Sequence, residues 1–321
     1  MTIENTEWRN QTTITEFILL GFGDLPALQI LLFLLLLVIY IVTMDGNILI
    51  IALVVADQHL HTPMYFFLGN LSCLETCYTS TILPRMLASL LTGDRTISVF
   101  GCFVQLYLFG SLVGTECYLL AAMSYDRYLA ICKPLHYLTH MNERFCFQLA
   151  AGFWVSAFLV VTIIIFLMSQ LTFCGPSEID HFFCDLTPVI KLSCSVTRMM
   201  ELVTFLGSFL FTLPPFLLTL TSCVCIINAI LRIPSSTGRR KAFSTCSSHL
   251  IVVTTFYGML IIVYISPKTK MLQELNKVFS VFYTVLTPLV NPLIYSLRKK
   301  EVMEALRKAA RNFMAFMSTF I

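Results

Sequence analysis

Seven long apolar runs, separated by short polar segments, leave this chain few folds to choose from. They are Ala27–Ala56, Pro63–Leu91, Val99–Ile131, Phe145–Ser169, Met199–Leu231, Ala242–Ser266 and Val278–Leu297. Crossing about 30 Å of hydrocarbon takes about 20 helical residues, and each run is long enough. Lipid cannot satisfy backbone N–H and C=O groups, so only helices and closed barrels span it. A barrel would show short alternating segments instead of unbroken runs. Only 12% of the 321 residues are charged and 57% are hydrophobic, against roughly 25% charged in soluble domains. Such hydrophobicity also excludes disorder. The predicted fold is an all-α membrane protein: a seven-transmembrane helix bundle over 27–297, preceded by an N-terminal segment 1–26 and followed by a tail 298–321.

Lys and Arg set the expected orientation. Thirteen of the 21 basic residues fall on one side, among them Arg127, Lys133, Arg144, Arg239, Arg240, Lys241 and the cluster from Arg298 to Arg311. The richer side is expected to be cytoplasmic, which puts the N-terminus outside and the C-terminus inside. Residues Met1 to Glu16 lack the basic and apolar blocks of a signal peptide, so the first span is expected to act as an uncleaved anchor. Asn10-Gln11-Thr12 is a glycosylation acceptor on the outer side. Past the last span, Val302, Leu306, Ala309, Phe313 and Met317 share one face opposite basic residues, the pattern of an amphipathic helix lying on membrane lipid. The basic residues are scattered over loops, so no nucleic-acid partner is expected.

Four of the twelve cysteines, Cys102, Cys174, Cys184 and Cys194, lie in outer segments, where disulfides persist. They allow three connectivities, and spacing alone does not choose. The other eight read as small packing residues. His181, Cys184 and Asp185 suggest a metal loop only if Cys184 is a free thiolate, and no metal site is expected.

Asp45, Glu75 and Glu116 interrupt apolar runs. A buried carboxylate must be protonated, paired or bound to a cation. Glu116 lies ten residues before Asp126, about 15 Å along the helix, and can share a layer with Glu75, Asn47 and Asn291. Two readings stand: protonated, hydrogen-bonded acids, or a proton or cation held between them. Asp45 has no role in either. Pro214-Pro215 in the fifth run, and Pro288 and Pro292 in the seventh, free backbone carbonyls and bend their helices, as passive kinks or as hinges.

An acid and an arginine, Asp126-Arg127, stand where the third run meets a basic loop. Charge there must be solvated, paired or used. This stretch belongs to one of four long strings: Leu60–Leu68 (LHTPMYFFL), Ser124–Tyr137 (SYDRYLAICKPLHY), Lys241–Leu250 (KAFSTCSSHL) and Pro288–Arg298 (PLVNPLIYSLR). Together they closely resemble the vertebrate odorant receptors, a branch of the rhodopsin-like G-protein-coupled receptors, and the first string is similar to the tetrapod-type (class II) subset. The resemblance runs from Gly46-Asn47 nearly to the C-terminus.

What the resemblance implies is specific. Arg127, released from Asp126 beside Tyr128, would meet the tail of a stimulatory, olfactory-type G-protein α subunit and raise cyclic AMP. Asn291, Pro292 and Tyr295 would form a switch in the seventh helix. Cys102 would pair with Cys184, and Cys174 with Cys194. Glu75, Glu116, Asn47 and Asn291 would line a sodium-type site; no other cofactor is implied. Plasma membrane, in olfactory neuron cilia, is the implied location. Two departures stand out: Ser124 replaces the family's usual alanine, and Ser222-Cys223 replaces a Ser-Tyr pair that supports the active state.

Phe109, about 25 Å outward from Asp126, takes the place of the acid found in amine receptors. Val113 and Cys117 continue its face. Gly207, Ser208, Phe211, Tyr257, Leu260, Tyr264, Val281 and Thr284 complete a predicted cavity of apolar walls with a few hydroxyls, suited to a small volatile molecule. Other classes fit less well. A transporter would show paired repeat halves, and the spans hold no nucleophile–base arrangement for an enzyme. The nearest alternative is a rhodopsin-like receptor for a small metabolite.

Overall fold

The computed structural model describes residues 14–21, 26–173, 177–265 and 277–298, with 302, 304 and 307. Its long helices are α1 (Pro26–Ala56), α2 (Pro63–Thr92), α3 (Val99–Cys132), α5 (Glu143–Ser169), α7 (Arg198–Leu231) and α8 (Ser236–Ile265). The last, α9, runs from 277 through a π-helical turn at Phe282–Leu286 into Thr287–Arg298. These seven correspond to the seven runs. Two short helices between them, α4 (Pro134–His140) and α6 (Leu186–Lys191), are additional. Among the described residues, four helices, α1, α3, α5 and α7, are long and apolar enough to cross a membrane by length and composition alone. Helix α2 is diluted by polar residues, including buried Ser72, Glu75 and Thr79, that face its neighbours.

Helix ends follow local chemistry. Pro63 opens α2 after an extended Thr62, and Gly93 closes it with φ 76°, a left-handed cap that favours glycine. Ser98 caps α3 by accepting from the N–H of Gly101, and Asn142 caps α5 by accepting from Phe145. The sixth helix begins at Ser236, six residues before the apolar run. Apolarity marks the hydrocarbon, and a helix can project beyond it.

Helix α3 is the axis: 72% of its most apolar window is buried, against 11% for α1. It packs on α2, α5 and α7, while α1 closes against α2 and α9. Gly46 lets α1 meet α9, since a Cβ there would lie 3.3 Å from Pro292 Cβ. With Gly46 and Asn47 turned inward, Asp45 is exposed on the outer face of α1, so it is not one of the buried acids. The cysteines also divide: Cys117, Cys146 and Cys246 are buried, whereas Cys73 and Cys77 are exposed.

The segment 1–26 carries structure that hydropathy does not signal. Strand β1 (Glu16–Leu19) is the centre of a three-stranded sheet, antiparallel to β2 (Thr96–Ser98) and parallel to β3 (Glu178–Ile179). Phe17 is fully buried there, edge-on to Phe173 at 5.5 Å. This sheet and the loop around β3 form a lid over one end of the bundle. The Cys102–Cys184 disulfide anchors the lid to α3, and Gln105 bridges it to α2, accepting from Cys184 N–H at 2.9 Å and donating to Thr81 O at 3.1 Å. Lys277 pairs with Asp180, and His181 meets Ser280 Oγ at 3.3 Å, tying the lid to α9. Cys194 is disulfide-bonded; Cys174, Asn10 and most of the amphipathic tail lie outside the described residues. Within that tail, helical Val302 is buried while Glu304 and Arg307 are exposed.

Candidate ligand cavity and coupling surface

Beneath the lid, α3, α5, α7 and α8 enclose a cavity of about 120 Å³. Of the residues expected there, Phe109, Val113, Cys117, Gly207, Ser208, Phe211 and Leu260 line it. Gly114 makes room for the wall: a Cβ on it would sit 3.3 Å from Phe211 and 3.4 Å from Ala157. Three expected residues do not line it. Tyr257 is buried below, donating from Oη to Cys117 O at 2.8 Å. It braces the floor without facing the cavity. Thr284 spends its hydroxyl on Ser280 O at 2.6 Å, and Val281 also stands apart, because α9 is separated from the cavity by aromatic packing. Phe109 contacts Tyr78 at 5.3 Å, Phe183 at 4.8 Å and Tyr283 at 6.2 Å, filling the α2–α9 half of the bundle. The side chain of Tyr264 lies outside the described residues.

The cavity instead gains Val160, Val161, Ile164 and Ile165 from α5, and Asp185 from the lid. The α5 residues carry no sequence mark that separates them from lipid-facing neighbours. Asp185 caps α6, its carboxylate accepting from Leu186 N–H at 2.8 Å.

Prolines connect the cavity to the rest of the bundle. Pro214 has no N–H for Leu210 O, and Tyr118 Oη donates to that carbonyl at 2.9 Å. Pro292 leaves Pro288 O without its helical donor, and Asn47 Nδ2 supplies one at 3.3 Å. Both bends therefore rest on a side chain from a neighbouring helix. The π-helical turn at Phe282–Leu286 sits just before Pro288, where the missing N–H loosens the ladder.

Glu75, Glu116, Asn47 and Asn291 are all buried. Asn291 Nδ2 donates to Glu75 Oε1, and Glu116 is near enough for the two carboxylates to repel if both ionise. Thr43 Oγ1 and Asn47 Oδ1 find no hydrogen-bond partner among the described residues.

At the opposite end, Asp126 is buried and Arg127 Nε lies 3.7 Å from its Oδ2. Tyr137, from α4, donates to Asp126 Oδ1 at 2.8 Å. Burial and the adjacent carboxylate raise the Tyr137 phenol well above its usual range, so it stays a donor. Sequence reasoning gave Tyr137 no role, although Pro134 at the start of α4 marks the turn that places it. Tyr128 packs with Ile131 and Cys132 against Ile226, Ile230 and Cys246, an apolar seam that holds α3, α7 and α8 together. Pro292 is buried; the side chain of Tyr295 lies outside the described residues.

A family model described as olfactory receptor matches residues 36–312. Olfactory receptor 11A1 of Homo sapiens is 51% identical over 296 residues, spanning 92% of this chain and 94% of that protein. Olfactory receptor 6B1 of Homo sapiens is 48% identical over 304 residues, with 95% and 97% covered. Olfactory receptor 5AP2 of Mus musculus is 46% identical over 306 residues, with 95% and 96% covered.

Proposed function

Because this chain belongs to the olfactory receptor family, we propose that its odorants are small, weakly polar molecules held in the cavity among α3, α5, α7 and α8. It is a G-protein-coupled receptor for odorants, not an enzyme. One observation supports the ligand class: a space of about 120 Å³ with mostly aliphatic and aromatic walls, in which Ser208, Thr212 and Asp185 are the polar groups. Drug-sized sites run to roughly 300–1,000 Å³. A ligand of so few atoms binds at about micromolar strength or weaker.

Activation draws only on the ligand's better fit to one of two states. Contact at Phe109, Val113 and Phe211 bears on the floor at Cys117, whose carbonyl holds Tyr257 of α8. Moving α8 opens the apolar seam below and exposes Arg127. The freed arginine then meets a stimulatory, olfactory-type α subunit, and cyclic AMP rises. The basic-residue count supports a plasma-membrane orientation with the lid outside and Arg127 inside, and membership of the family supports placement in olfactory cilia. Glu75 and Glu116, with Thr43 Oγ1 and Asn47 Oδ1, offer oxygen atoms that suit a sodium ion, which would neutralise the paired acids in the resting bundle.

The test is a cyclic AMP assay of the full receptor against a broad volatile panel. Val113→Phe should remove or weaken responses at least about tenfold by filling the cavity. Arg127→Ala should abolish cyclic AMP at equal surface expression. A Val113→Phe receptor with unchanged potency across the panel sinks the cavity assignment.

A further inference from the structure

Two histidines stand one turn apart on α4, the short helix that carries Tyr137 to Asp126. His136 and His140 are four residues apart, which brings both side chains to one face of the helix. Both residues are exposed. Their rings meet edge to face, with centroids 6.1 Å apart. His140 Nδ1 lies 3.0 Å from His136 O. A carbonyl only accepts, so Nδ1 carries the proton of the neutral ring and Nε2 keeps a lone pair. Thr139 Oγ1 donates to the same carbonyl at 2.8 Å and stands 3.2 Å from Nδ1, which steadies the His140 ring further. One ring nitrogen fixed on a backbone carbonyl, with the other left as a base, is how metal-bound histidines are oriented. The His136 ring makes no hydrogen bond among the described residues, so it is free to turn.

A metal–nitrogen bond is about 2.1 Å, so a turn of His136 that brings the rings about 1 Å closer lets one ion bridge both. Imidazole suits zinc, copper and nickel. We propose that His136 and His140 form a two-histidine site for a divalent ion of this class, with water completing its coordination, and that the bound ion fastens α4. Tyr137 lies between the two ligands in the helix, and its phenol donates to Asp126 Oδ1 at 2.8 Å. An ion that cross-links this turn opposes its unwinding and so keeps Tyr137 on Asp126. What that does to signalling rests on Asp126 and Arg127 being the coupling surface; the site itself does not.

The test uses the purified, untagged full-length receptor, with zinc chloride as the probe and no G protein, so it fails or succeeds apart from the coupling assignment. Titration calorimetry should count one more zinc ion on the wild type than on His136→Gln or His140→Gln, both exposed positions. Hydrogen–deuterium exchange over Pro134–His140 should slow about tenfold in the wild type at about ten times the dissociation constant. It should not change in either variant. Magnesium, which prefers oxygen ligands, should leave exchange as it is. Equal zinc counts in the wild type and both variants overturn the site, as does an equal effect of magnesium. Exchange indifferent to bound zinc overturns the fastening of α4.

Discussion

The lid should loosen in mild acid, and His181 sets by how much. Its ring is 4% exposed, packed between Phe182 at 4.6 Å and Phe183 at 4.5 Å. Burial, and then the charge of Lys277, push its pKa from 6.5 down to about 3, with Asp180 opposing weakly. A histidine depressed in the folded state gives stability that is full above its unfolded pKa and is lost as pH falls below it, because only the open form takes the proton. Between pH 6.5 and about 3 the loss is about 1.4 kcal/mol per pH unit. At pH 5 it reaches about 2 kcal/mol, which multiplies the open population by about 30. Hydrogen–deuterium exchange over Glu178–Leu186 in the purified receptor reads this directly, once corrected for intrinsic exchange. Opening should rise by about that factor from pH 7.5 to pH 5, and His181→Phe should flatten the dependence. Equal pH dependence in wild type and His181→Phe refutes the argument.

Two other outcomes follow from the same structure. Tyr137→Phe removes the hydrogen bond to Asp126 Oδ1, a contact to a charged group worth about 1.5–3 kcal/mol, and should raise ligand-free cyclic AMP severalfold at unchanged surface expression; unaltered basal signal means Tyr137 does not hold the resting state. Replacing sodium with N-methylglucamine should lower the unfolding temperature of the wild type but not of Glu116→Gln; a wild type indifferent to sodium means that the acids share a proton.

Much of the bundle is written in hydropathy, because lipid imposes one rule on every span. The runs locate all seven helices, and the ends shift only where polar residues extend a helix past the hydrocarbon, as at Ser236. Spacing groups Glu75, Glu116, Asn47 and Asn291, and all four are buried, with Asn291 donating to Glu75. What sequence cannot give is which face of an all-apolar helix is inside. Ile164 of α5 is 8% exposed and Ile163 is 55% exposed, yet their chemistry is the same. Tyr257 fails differently: a buried phenol needs a partner, and here the partner is a backbone carbonyl beneath the cavity instead of a ligand. Asp45 shows that an acid in an apolar run need not face inward once a glycine contact fixes the helix's rotation.

The order of strands in the lid has a consequence for biosynthesis. The strand synthesised first sits in the middle, and its neighbours are completed only at Ser98 and Ile179. One edge of that strand can pair once about a third of the polypeptide has been made, but its other edge must wait until more than half has been made. Pairing across such a distance is slow, and an intermediate in which Phe17 has no shelter presents a bare strand to any chaperone or stray edge it meets. Quality control of this receptor should turn on the closing of that sheet more than on insertion of the helices.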